Sequence, residues 1–333
     1  MRIAVIGAGS IGELHARIFD SNPRCDLVAV CDANAQRARH VADSLKCRGY
    51  ESYEQLLESE ELDAVSIATP ETARREPSMA AAKRGLAMLL EKPLGRTIRQ
   101  VDALVDDLVA AGAEPAINFI LHADPRFSRM KQIVAEGGIG RLVSCFARRR
   151  GTRLGIEKYA PWTDLLSSTL IHDIDMALTV AAAPAERAYA EAVVRRCAEY
   201  GCHDAVVATL RFADGSVAVF ETSWVLPPTH PEPLDQAFHL VGDEGSIAIE
   251  GSSHGFAVQG EAGFTRPDMT HWPILPDGGV GGALALSLGA FVDNSLAGAP
   301  HLAGLNSARR AEAVVAAMKM SIDRERAVRL EEV

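Results

Sequence analysis

Hydrophobic and polar positions follow a regular alternation over the first 120 residues. Short runs rich in β-branched residues are separated by longer segments in which apolar side chains recur every three or four positions, and these patterns predict strands and helices respectively. Such alternation predicts a parallel, doubly wound sheet with helices on both faces, which binds ligands beyond the carboxyl ends of its strands. The predicted strands are Arg2–Ile6, Asp26–Asp32, Asp63–Ala68, Ala87–Leu90 and Ala116–Phe119, and the predicted helices are Ile11–Asp20, Ala35–Lys46, Thr72–Arg84 and Ile98–Ala111.

After about residue 120 the pattern changes, so we expect two domains, over residues 1–120 and 121–333. Strand patterns follow one another with short turns, which predicts a mostly antiparallel sheet, and Asp214-Gly215 is typical of a hairpin. The predicted elements are helix Pro125–Glu136, strand Leu142–Arg149, helix Leu165–Ala181, strands Ala188–Arg196, Ala205–Phe212, Ser216–Trp224, Ala237–Val241 and Ser246–Glu250, and helices Ala283–Ala297 and Leu305–Asp323.

Composition and charge narrow the class of protein. With 48% hydrophobic and 23% charged residues the chain can bury a globular core. Its net charge of -10 argues against a nucleic-acid partner, because the one basic run, Arg148–Arg150, is too short to attract a phosphate backbone. No stretch approaches the ~18 apolar residues of a membrane span, and the N-terminus lacks the features of a signal peptide. We therefore expect a cytoplasmic protein without a membrane partner.

The cysteines predict no disulfide framework and no metal site. They are scattered without a CxxC pair, and Cys197, Cys202 and His203 lack a fourth ligand at a spacing typical of zinc sites. We expect reduced, structural thiols. The six cysteines are Cys25, Cys31, Cys47, Cys145, Cys197 and Cys202.

A glycine run at the start of the chain predicts a dinucleotide site. Gly7-Ala8-Gly9-Ser10-Ile11-Gly12 directly follows the strand Arg2–Ile6 and opens a helix, which is the context that gives G-x-G-x-x-G its meaning. Gly7 permits the tight turn, Gly9 lets the backbone approach a pyrophosphate, and Gly12 allows the helix to pack closely on the strand. The helix N-terminus offers its N–H groups to the phosphates.

Asp32 stands at the end of the second strand, 20 residues after Gly12. A carboxylate there accepts hydrogen bonds from the ribose hydroxyls of NAD and repels the 2′-phosphate of NADP. No arginine immediately follows, and the next one, Arg37, falls inside the predicted helix, so the sequence favours NAD over NADP. The alternative is that Asp32 only caps the helix beginning near Ala33.

Glu91-Lys92-Pro93 follows the strand Ala87–Leu90 and so lies at the carboxyl edge of the sheet. A lysine at that edge can hydrogen-bond a substrate hydroxyl and stabilise negative charge that develops during hydride transfer. It can also relay a proton if burial lowers its pKa. The alternative is a surface turn that the proline ends.

Together with Ala68-Thr69-Pro70, these motifs resemble the Gfo/Idh/MocA family of oxidoreductases. The resemblance implies a Rossmann domain followed by an α/β domain with a large, open, mainly antiparallel sheet, which commonly joins subunits into dimers or tetramers. It also implies a sugar, inositol or related polyol as substrate. Further motifs that carry the resemblance are Gly138-Ile139-Gly140, His172-Asp173-Ile174-Asp175, Phe212-Ala213-Asp214-Gly215 and Trp224. The cofactor contacts expected from the motifs are Gly7, Gly9, Ser10, Ile11, Gly12, Asp32, Thr69, Pro70, Glu91 and Lys92.

The same resemblance implies that Lys92 and His172 are the catalytic residues. Histidine suits general acid–base chemistry because its pKa lies near neutrality, although a lone histidine on a helix can also be structural. The family pattern has Asp four residues before this histidine, and here the position is Ser168. Arg74 stands where the family often has histidine, and the segment 119–125 lacks the usual arginine.

The substrate end is less constrained. Ser168 and Asp173 are expected to contact substrate, and Tyr159 and Trp162 either line the sugar pocket or pack in the core. Arg148–Arg150 either clamps the carboxylate of a sugar acid or is a solvated strand end.

Three functions are compatible with these residues. The first is an NAD-dependent dehydrogenase of a sugar, inositol or sugar acid. The second is a glycosidase that oxidises its substrate transiently with bound NAD. The third is a catalytically silent, NAD-responsive regulator, which the serine at position 168 favours and the retained Lys92 and His172 disfavour.

Overall fold

The structure is a computed structural model that describes residues 1–154, 156–160, 163–261 and 263–333, with only the backbone at positions 157 and 158. The described chain forms two compact units. The first comprises Met1–Ala123 and Trp272–Arg309, and the second comprises Asp124–His271 and Arg310–Val333. Trp162 lies outside the described residues.

Strands and helices alternate in the N-terminal part of the chain and strands dominate the middle. In chain order the elements are β1 (Arg2–Ile6), α1 (Ser10–Ser21), β2 (Asp26–Cys31), α2 (Ala35–Leu45), β3 (Arg48–Tyr50), α3 (Tyr53–Ser59), β4 (Ala64–Ile67), α4 (Arg75–Lys83), β5 (Ala87–Leu90), α5 (Ile98–Ala110), β6 (Ala116–Ile117), α6 (Pro125–Ala135), β7 (Leu142–Thr152), α7 (Ile156–Tyr159), α8 (Ile171–Val180), β8 (Ala185–Val193), β9 (Ala205–Phe212), β10 (Val217–Leu226), β11 (Leu234–Gly242), β12 (Ser246–Glu250), β13 (Val258–Gly260), β14 (Gly263–Thr265), α9 (Gly282–Ala297), α10 (Leu305–Arg324) and β15 (Val328–Arg329).

The first unit contains a six-stranded sheet in the order β3-β2-β1-β4-β5-β6, and every pair in it is parallel. The order reverses between β1 and β4, which is the point where doubly wound sheets bind nucleotides. The central strands are buried on both faces, in keeping with their continuous apolar sequences. This sheet confirms the predicted fold class of the N-terminal part.

Helix α9 belongs to the core of the first unit, although the segment Asp124–His271 of the second unit lies between it and the first unit's N-terminal part in the chain. Its buried side chains Leu284, Leu288 and Phe291 share a core cluster with Ile3 and Val5 of β1. Burial of each such side chain contributes about 1.5–3 kcal/mol. The sequence pattern placed one boundary at residue 120 and therefore did not assign Trp272–Arg309 to the first unit, because a periodic pattern shows which face of a helix is apolar but not which core that face joins.

The second unit contains a seven-stranded sheet in the order β12-β11-β7-β10-β9-β8-β15. The pair β7 and β10 is parallel and the other pairs are antiparallel, so the prediction of a mainly antiparallel sheet is confirmed. The predicted strands at Ala205–Phe212 and Ser246–Glu250 have the observed bounds. A separate ribbon of β13 and β14 lies in the Gly-rich segment after β12.

Several short elements were not predicted from the sequence. The main ones in the first unit are β3, which is three residues long and pairs only with β2, and α3, which begins at its N-cap Ser52. A strand of three residues shows too few alternations to reveal a period, so its formation depends on the neighbouring strand. Within the described residues, no helix is long and apolar enough to cross a membrane.

Candidate functional site

The glycine loop between β1 and α1 has the backbone that the sequence predicted. Gly7 has φ +95° and donates its N–H to the carbonyl of Cys31 at 2.7 Å. A Cβ at Gly7 would lie 2.7 Å from the carbonyl carbon of Ala68, and one at Gly12 would lie 1.7 Å from the oxygen of Gly7. A Cβ at Gly9 would meet nothing within 4 Å. Gly7 and Gly12 are thus needed for the turn, whereas Gly9 borders open space above the first turn of the helix.

That open space suits a pyrophosphate. Gly9 is the N-cap of α1, with extended backbone and no side chain, and Ser10 and Ile11 form the first turn. The first N–H groups of a helix lack acceptors within the helix and carry the positive end of its dipole. The residues present therefore fit the phosphates of a dinucleotide.

Asp32 is joined to this loop by a hydrogen bond. Its Oδ2 accepts from the backbone N–H of Ala8 at 2.9 Å, and its Oδ1 accepts from the N–H of Asn34 at 2.9 Å. The N-cap of α2 is Asn34, whose side chain accepts from the N–H of Arg37 at 3.0 Å. The alternative that Asp32 caps this helix is therefore wrong, and its carboxylate stands beside the glycine loop.

Arg37 reaches Asp32 in spite of its position inside α2. Its Nη1 lies 3.3 Å from Oδ1 and 3.2 Å from Oδ2 of the carboxylate. This contact was not predicted from the sequence, because Arg37 does not directly follow Asp32. The first turn of α2 directs the side chain of Arg37 back toward Asp32. Its half-exposed guanidinium therefore lies where the 2′-substituent of a bound ribose is recognised.

Thr69 and Pro70 follow β4, next to the glycine loop. The hydroxyl oxygen of Thr69 is buried and has no hydrogen-bond partner among the described atoms. Buried Arg74 donates to the carbonyls of Thr69 and Pro93. The arginine at this family position therefore ties the loop after β4 to the segment after Lys92.

Glu91 turns its carboxylate into the first unit, so the structure supports a different role from the predicted contact with the cofactor. Its Oε1 accepts from Nδ2 of Asn118 at 2.5 Å and lies 3.3 Å from Nε2 of His15. Its Oε2 accepts the backbone N–H of Lys92 at 3.2 Å. His15 in turn contacts Oγ of Ser66 at 2.8 Å through Nδ1.

A second chain of contacts completes this cluster. Oδ1 of Asn118 accepts from the hydroxyl of Ser287 on α9 at 2.8 Å. Burial raises the pKa of Glu91, but the hydrogen bond and charge of His15, the charge of Lys92 and the amide of Asn118 together lower it to about 2. We name this cluster of Ser66, His15, Glu91, Asn118 and Ser287 the Glu91 network.

In the second unit, His172 lies in the first turn of α8 and is partly exposed. The predicted single helix Leu165–Ala181 is interrupted by a π-helical segment over Leu166–Leu170, in which the N–H of Ile171 bonds the carbonyl of Leu166. Ser168 lies in this wider turn, so the regular four-residue spacing that would align it with His172 does not hold. Its hydroxyl contacts that of Thr169 at 3.1 Å.

An acid near the π-helical segment is Asp164. Its carboxylate accepts from Nζ of Lys319 at 2.8 Å and from the N–H of Ser167 at 3.0 Å. Burial raises the pKa of Asp164, but the charge and hydrogen bond of Lys319 and the bonds from Ser167 hold it below its usual range. This carboxylate thus fixes the backbone at Ser167, directly before Ser168.

Asp173, expected to contact substrate, is buried in an ion pair with Arg149 instead. Nε of Arg149 donates to Oδ2 at 2.6 Å and Nη2 donates to Oδ1 at 2.9 Å. Nη1 of Arg149 lies 3.2 Å from Nε2 of His271, whose Nδ1 is 2.8 Å from Asp268. These contacts support a role in holding the start of α8 beside His172. Tyr159 at the end of α7 is exposed.

The other two arginines of the run Arg148–Arg150 also meet carboxylates of the protein. Arg148 lies 2.8 Å and Arg150 lies 3.1 Å from Asp235, and Arg150 lies 3.6 Å from Glu221. Side chains alternate across a strand, so Arg149 faces the core while its neighbours face the other side. Neither a ligand clamp nor a solvated strand end describes this run.

The structure thus places the predicted cofactor residues at the carboxyl ends of β1, β2, β4 and β5 in the first unit, with the Glu91 carboxylate turned inward. Ser168, His172 and Asp173 lie in the second unit, where Asp173 pairs with Arg149 and Ser168 is not aligned with His172. His15 and Asn118 were not predicted from the sequence, and the observed partners of Arg37 and Arg149 were not predicted either. The one available signal was a polar residue on an otherwise apolar face, as at His15 among Ala16, Ile18 and Phe19. All six cysteines are free thiols, and the described residues contain no group of three or more His, Cys, Asp or Glu arranged to hold a metal ion.

The parallel sheet with its glycine loop defines an NAD-binding oxidoreductase fold, and comparison with known proteins agrees. A model of the oxidoreductase family with NAD-binding Rossmann fold matches residues 1–119, and a model of the GFO/IDH/MocA C-terminal domain matches residues 127–248. The chain belongs to the Gfo/Idh/MocA family, as its motifs indicated.

Similar proteins include dehydrogenases named for inositols and for UDP-N-acetylglucosamine. The chain is 25% identical to the myo-inositol 2-dehydrogenase of Thermotoga maritima over 338 residues, which covers 100% of this chain and 99% of the relative. It is 31% identical to the UDP-N-acetylglucosamine 3-dehydrogenase of Acidithiobacillus ferrooxidans over 189 residues, 55% of each chain. The scyllo-inositol dehydrogenase of Lactobacillus casei, solved with NAD(H) and scyllo-inositol, matches the fold with TM-score 0.86 over 99% of both chains at 17% identity.

Proposed function

We propose that this protein is an NAD-dependent dehydrogenase that acts on a hydroxyl or keto carbon of a sugar, inositol or sugar acid. The observation that carries the proposal is the glycine loop, with open space at Gly9, the first turn of α1 below it and Asp32 beside it. NAD held by this loop and Asp32 would supply the hydride acceptor or donor for the carbon that bears the reacting oxygen. The names of the family relatives support a polyol as substrate.

Lys92 is the residue we assign to the reacting oxygen. It follows β5 at the carboxyl edge of the parallel sheet, where its backbone N–H is held by the Glu91 carboxylate. An ammonium group at this edge donates a hydrogen bond to the substrate oxygen and stabilises the negative charge that develops on it. The charge of Lys92 is one of the causes that lower the pKa of Glu91, so the two charges interact favourably.

His172 is the residue we assign to proton transfer. In the oxidative direction its imidazole takes the proton of the substrate hydroxyl, directly or through a water molecule. Ser168 cannot supply the negative charge of the usual aspartate, so orientation of the histidine depends on its neighbours. Asp173 directly follows His172, and its buried ion pair with Arg149 fixes the first turn of α8.

We propose NAD and not NADP as the cofactor, because the carboxylate of Asp32 can accept hydrogen bonds from the ribose hydroxyls of NAD. Arg37 tempers this preference, since its guanidinium neutralises part of the charge that would repel a 2′-phosphate. The fit of the chain to a dinucleotide is common to both cofactors. The choice between them is therefore a property of the Asp32–Arg37 pair.

The experiment is a panel of cyclitols, aldoses and sugar acids offered with NAD, with NADH formation followed at its absorbance. We expect NADH with at least one member, and Lys92→Ala should abolish turnover while NAD affinity stays nearly unchanged. Loss of NAD binding in this variant would contradict the role of Lys92. Release of free sugar from a glycoside without net NADH would favour the glycosidase, and NAD binding without any turnover would favour the regulator.

We further propose that the chain is cytoplasmic and forms a dimer or tetramer through its second sheet. Six free thiols suit a reducing compartment. Strands of that sheet expose the apolar side chains Tyr189, Val193, Val207 and Val241, which suit an interface. Light scattering after gel filtration tests the assembly, and Val207→Lys should shift it toward monomer.

A further inference from the structure

The Glu91 network joins elements that are distant in the chain. His15 projects from α1, Ser66 from β4, Glu91 from the end of β5, Asn118 from the end of β6 and Ser287 from α9. His15 and Ser66 are 0% exposed and Asn118 is 1% exposed. The network therefore runs through the interior of the first unit, from the helix that carries the glycine loop to the strand end that carries Lys92.

Filling a core with polar side chains of this kind costs free energy that apolar side chains would not cost. Burying polar groups costs free energy unless each is hydrogen-bonded, and apolar residues of similar volume often serve stability as well or better. The neighbours of His15 on α1 are apolar, and its ring packs edge to face on Phe19 at 6.4 Å. Stability alone therefore does not explain why this helix buries an imidazole against a carboxylate.

The network ends on Lys92. Oε2 of Glu91 accepts the backbone N–H of Lys92, and Oε1 is held by Asn118 and approached by His15. The titratable groups that face the carboxylate are His15 from α1 and Lys92 from the strand end itself. A carboxylate fixed on three sides and adjacent to a lysine controls both the position of that lysine and the charge around it.

We propose that Glu91 is a positioning residue for Lys92, and that His15 and Asn118 hold its carboxylate in place. The chain of contacts makes the helix under the dinucleotide phosphates and the lysine at the strand end one hydrogen-bonded assembly. This inference rests on the proposed function for the role of Lys92 in turnover. The juxtaposition of Glu91 and Lys92 can be tested without any substrate.

The first test measures the titration of the Lys92 amine by competitive acetylation. Limiting acetic anhydride is added from pH 6 to pH 11 and the Lys92 peptide is quantified by mass spectrometry. In Glu91→Gln the midpoint should move down by about one pH unit or more, because an opposite charge nearby is lost. Exposed Lys46 is the internal control, and Ser78→Ala, which removes a buried hydroxyl of α4 outside the network, is the control variant. A wild-type midpoint in Glu91→Gln would overturn the proposal.

The second test asks whether His15 holds Glu91. Glutamine can place its amide nitrogen where Nε2 of His15 lies, facing Glu91, whereas asparagine can reach only the Nδ1 position, facing Ser66. Glu91→Gln is made in the wild-type, H15Q and H15N backgrounds, and unfolding is followed in urea. Glu91→Gln should raise the equilibrium constant for unfolding in the wild-type and H15Q backgrounds. This increase should be at least tenfold larger than the increase that Glu91→Gln causes in the H15N background. Equal effects in all three would remove His15 from the assembly.

The kinetic test uses the substrate found in the panel. In Glu91→Gln the pH at which kcat falls on the alkaline side should move down together with the acetylation midpoint, and KM for NAD should stay within about twofold. A variant that lowers kcat equally at every pH would show a merely structural role and would contradict the inference. Failure of the wild-type protein to turn over any substrate contradicts the proposed function instead, and leaves the acetylation and unfolding results to decide the inference.

Discussion

Arg149 donates two hydrogen bonds to Asp173, from Nε at 2.6 Å and from Nη2 at 2.9 Å, and both side chains are buried. The pair joins β7 to the first turn of α8, directly beside His172. Two parallel bonds between a guanidinium and a carboxylate fix orientation as well as distance. The geometry of the histidine in the second unit is therefore linked to a strand 24 residues earlier in the chain.

Removing one member of this pair should destabilise the second unit strongly. Arg149→Met leaves Asp173 buried without its cation, and we expect a loss of about 3–5 kcal/mol in unfolding free energy. The double variant R149M/D173N should recover part of this loss. Urea denaturation measures both, and Arg148→Met is the control, since its partly exposed pair with Asp235 is worth about 0–1 kcal/mol. Equal losses at positions 148 and 149 would contradict the assignment.

Replacing Asp32 should change the choice of cofactor. Asp32→Ser releases the guanidinium of Arg37, which is already within 3.3 Å of the carboxylate, to bind a 2′-phosphate. A hydrogen bond to a charged group contributes about 1.5–3 kcal/mol, so the ratio of NADP to NAD affinity should rise by about tenfold or more. Fluorescence titration with NADPH and NADH measures it. In the control D32S/R37A the gain should vanish, and a gain that persists there would show that Arg37 is not responsible.

Two glycines of the loop should respond differently to alanine. A Cβ at Gly12 would lie 1.7 Å from a backbone oxygen, so Gly12→Ala should cost about 1–3 kcal/mol or more of stability. A Cβ at Gly9 would meet nothing within 4 Å, so Gly9→Ala should cost about 1 kcal/mol or less of stability. The added methyl group would occupy the space proposed for the pyrophosphate and should weaken NAD binding instead. Thermal unfolding and NADH titration separate the two effects. A stable Gly12→Ala protein with normal binding would contradict this reading of the loop.

The ionisation of Glu91 should appear in the pH dependence of stability. Its folded pKa, about 2, lies below the ordinary value of 4.5. The stabilisation is therefore fully present above about pH 4.5 and is lost as the pH falls through 2. The difference corresponds to about 3 kcal/mol at most, at 1.36 kcal/mol for each pKa unit. The gap in unfolding free energy between wild type and Glu91→Gln should shrink from pH 5 to pH 3.

Much of the fold follows from local patterns. The alternation of strands and helices predicted the parallel sheet, and two strands of the second sheet were placed with their observed bounds. The interruption of the helix before His172 was not predicted, since Leu165–Ala181 reads as one continuous helical pattern. A π-helical turn depends on the contacts made around it, such as those of Asp164 with Lys319, 155 residues away.

The candidate site also contains a part that the sequence predicted and a part that it did not. The glycine loop and its relation to Asp32 were predictable because a tight turn and the start of a helix need specific residues at fixed local spacing. Lys92 and His172 stay predictions, supported by their places in the family pattern. The partners that surround them were not predictable. Arg149 was read as a surface charge or a ligand clamp, although it is buried against Asp173.

The sequence by itself therefore determined the parallel sheet, the dinucleotide loop and the family of this protein, because each depends on neighbours within a few positions. Only the tertiary structure decided that Glu91 faces inward, that Arg37 reaches Asp32 and that α9 packs in the first unit. Asn118 and Ser287 are 169 positions apart and share a hydrogen bond of 2.8 Å. Contacts of this kind arise when separate apolar faces are buried together, and the pattern along the chain carries no record of which buried polar groups then meet.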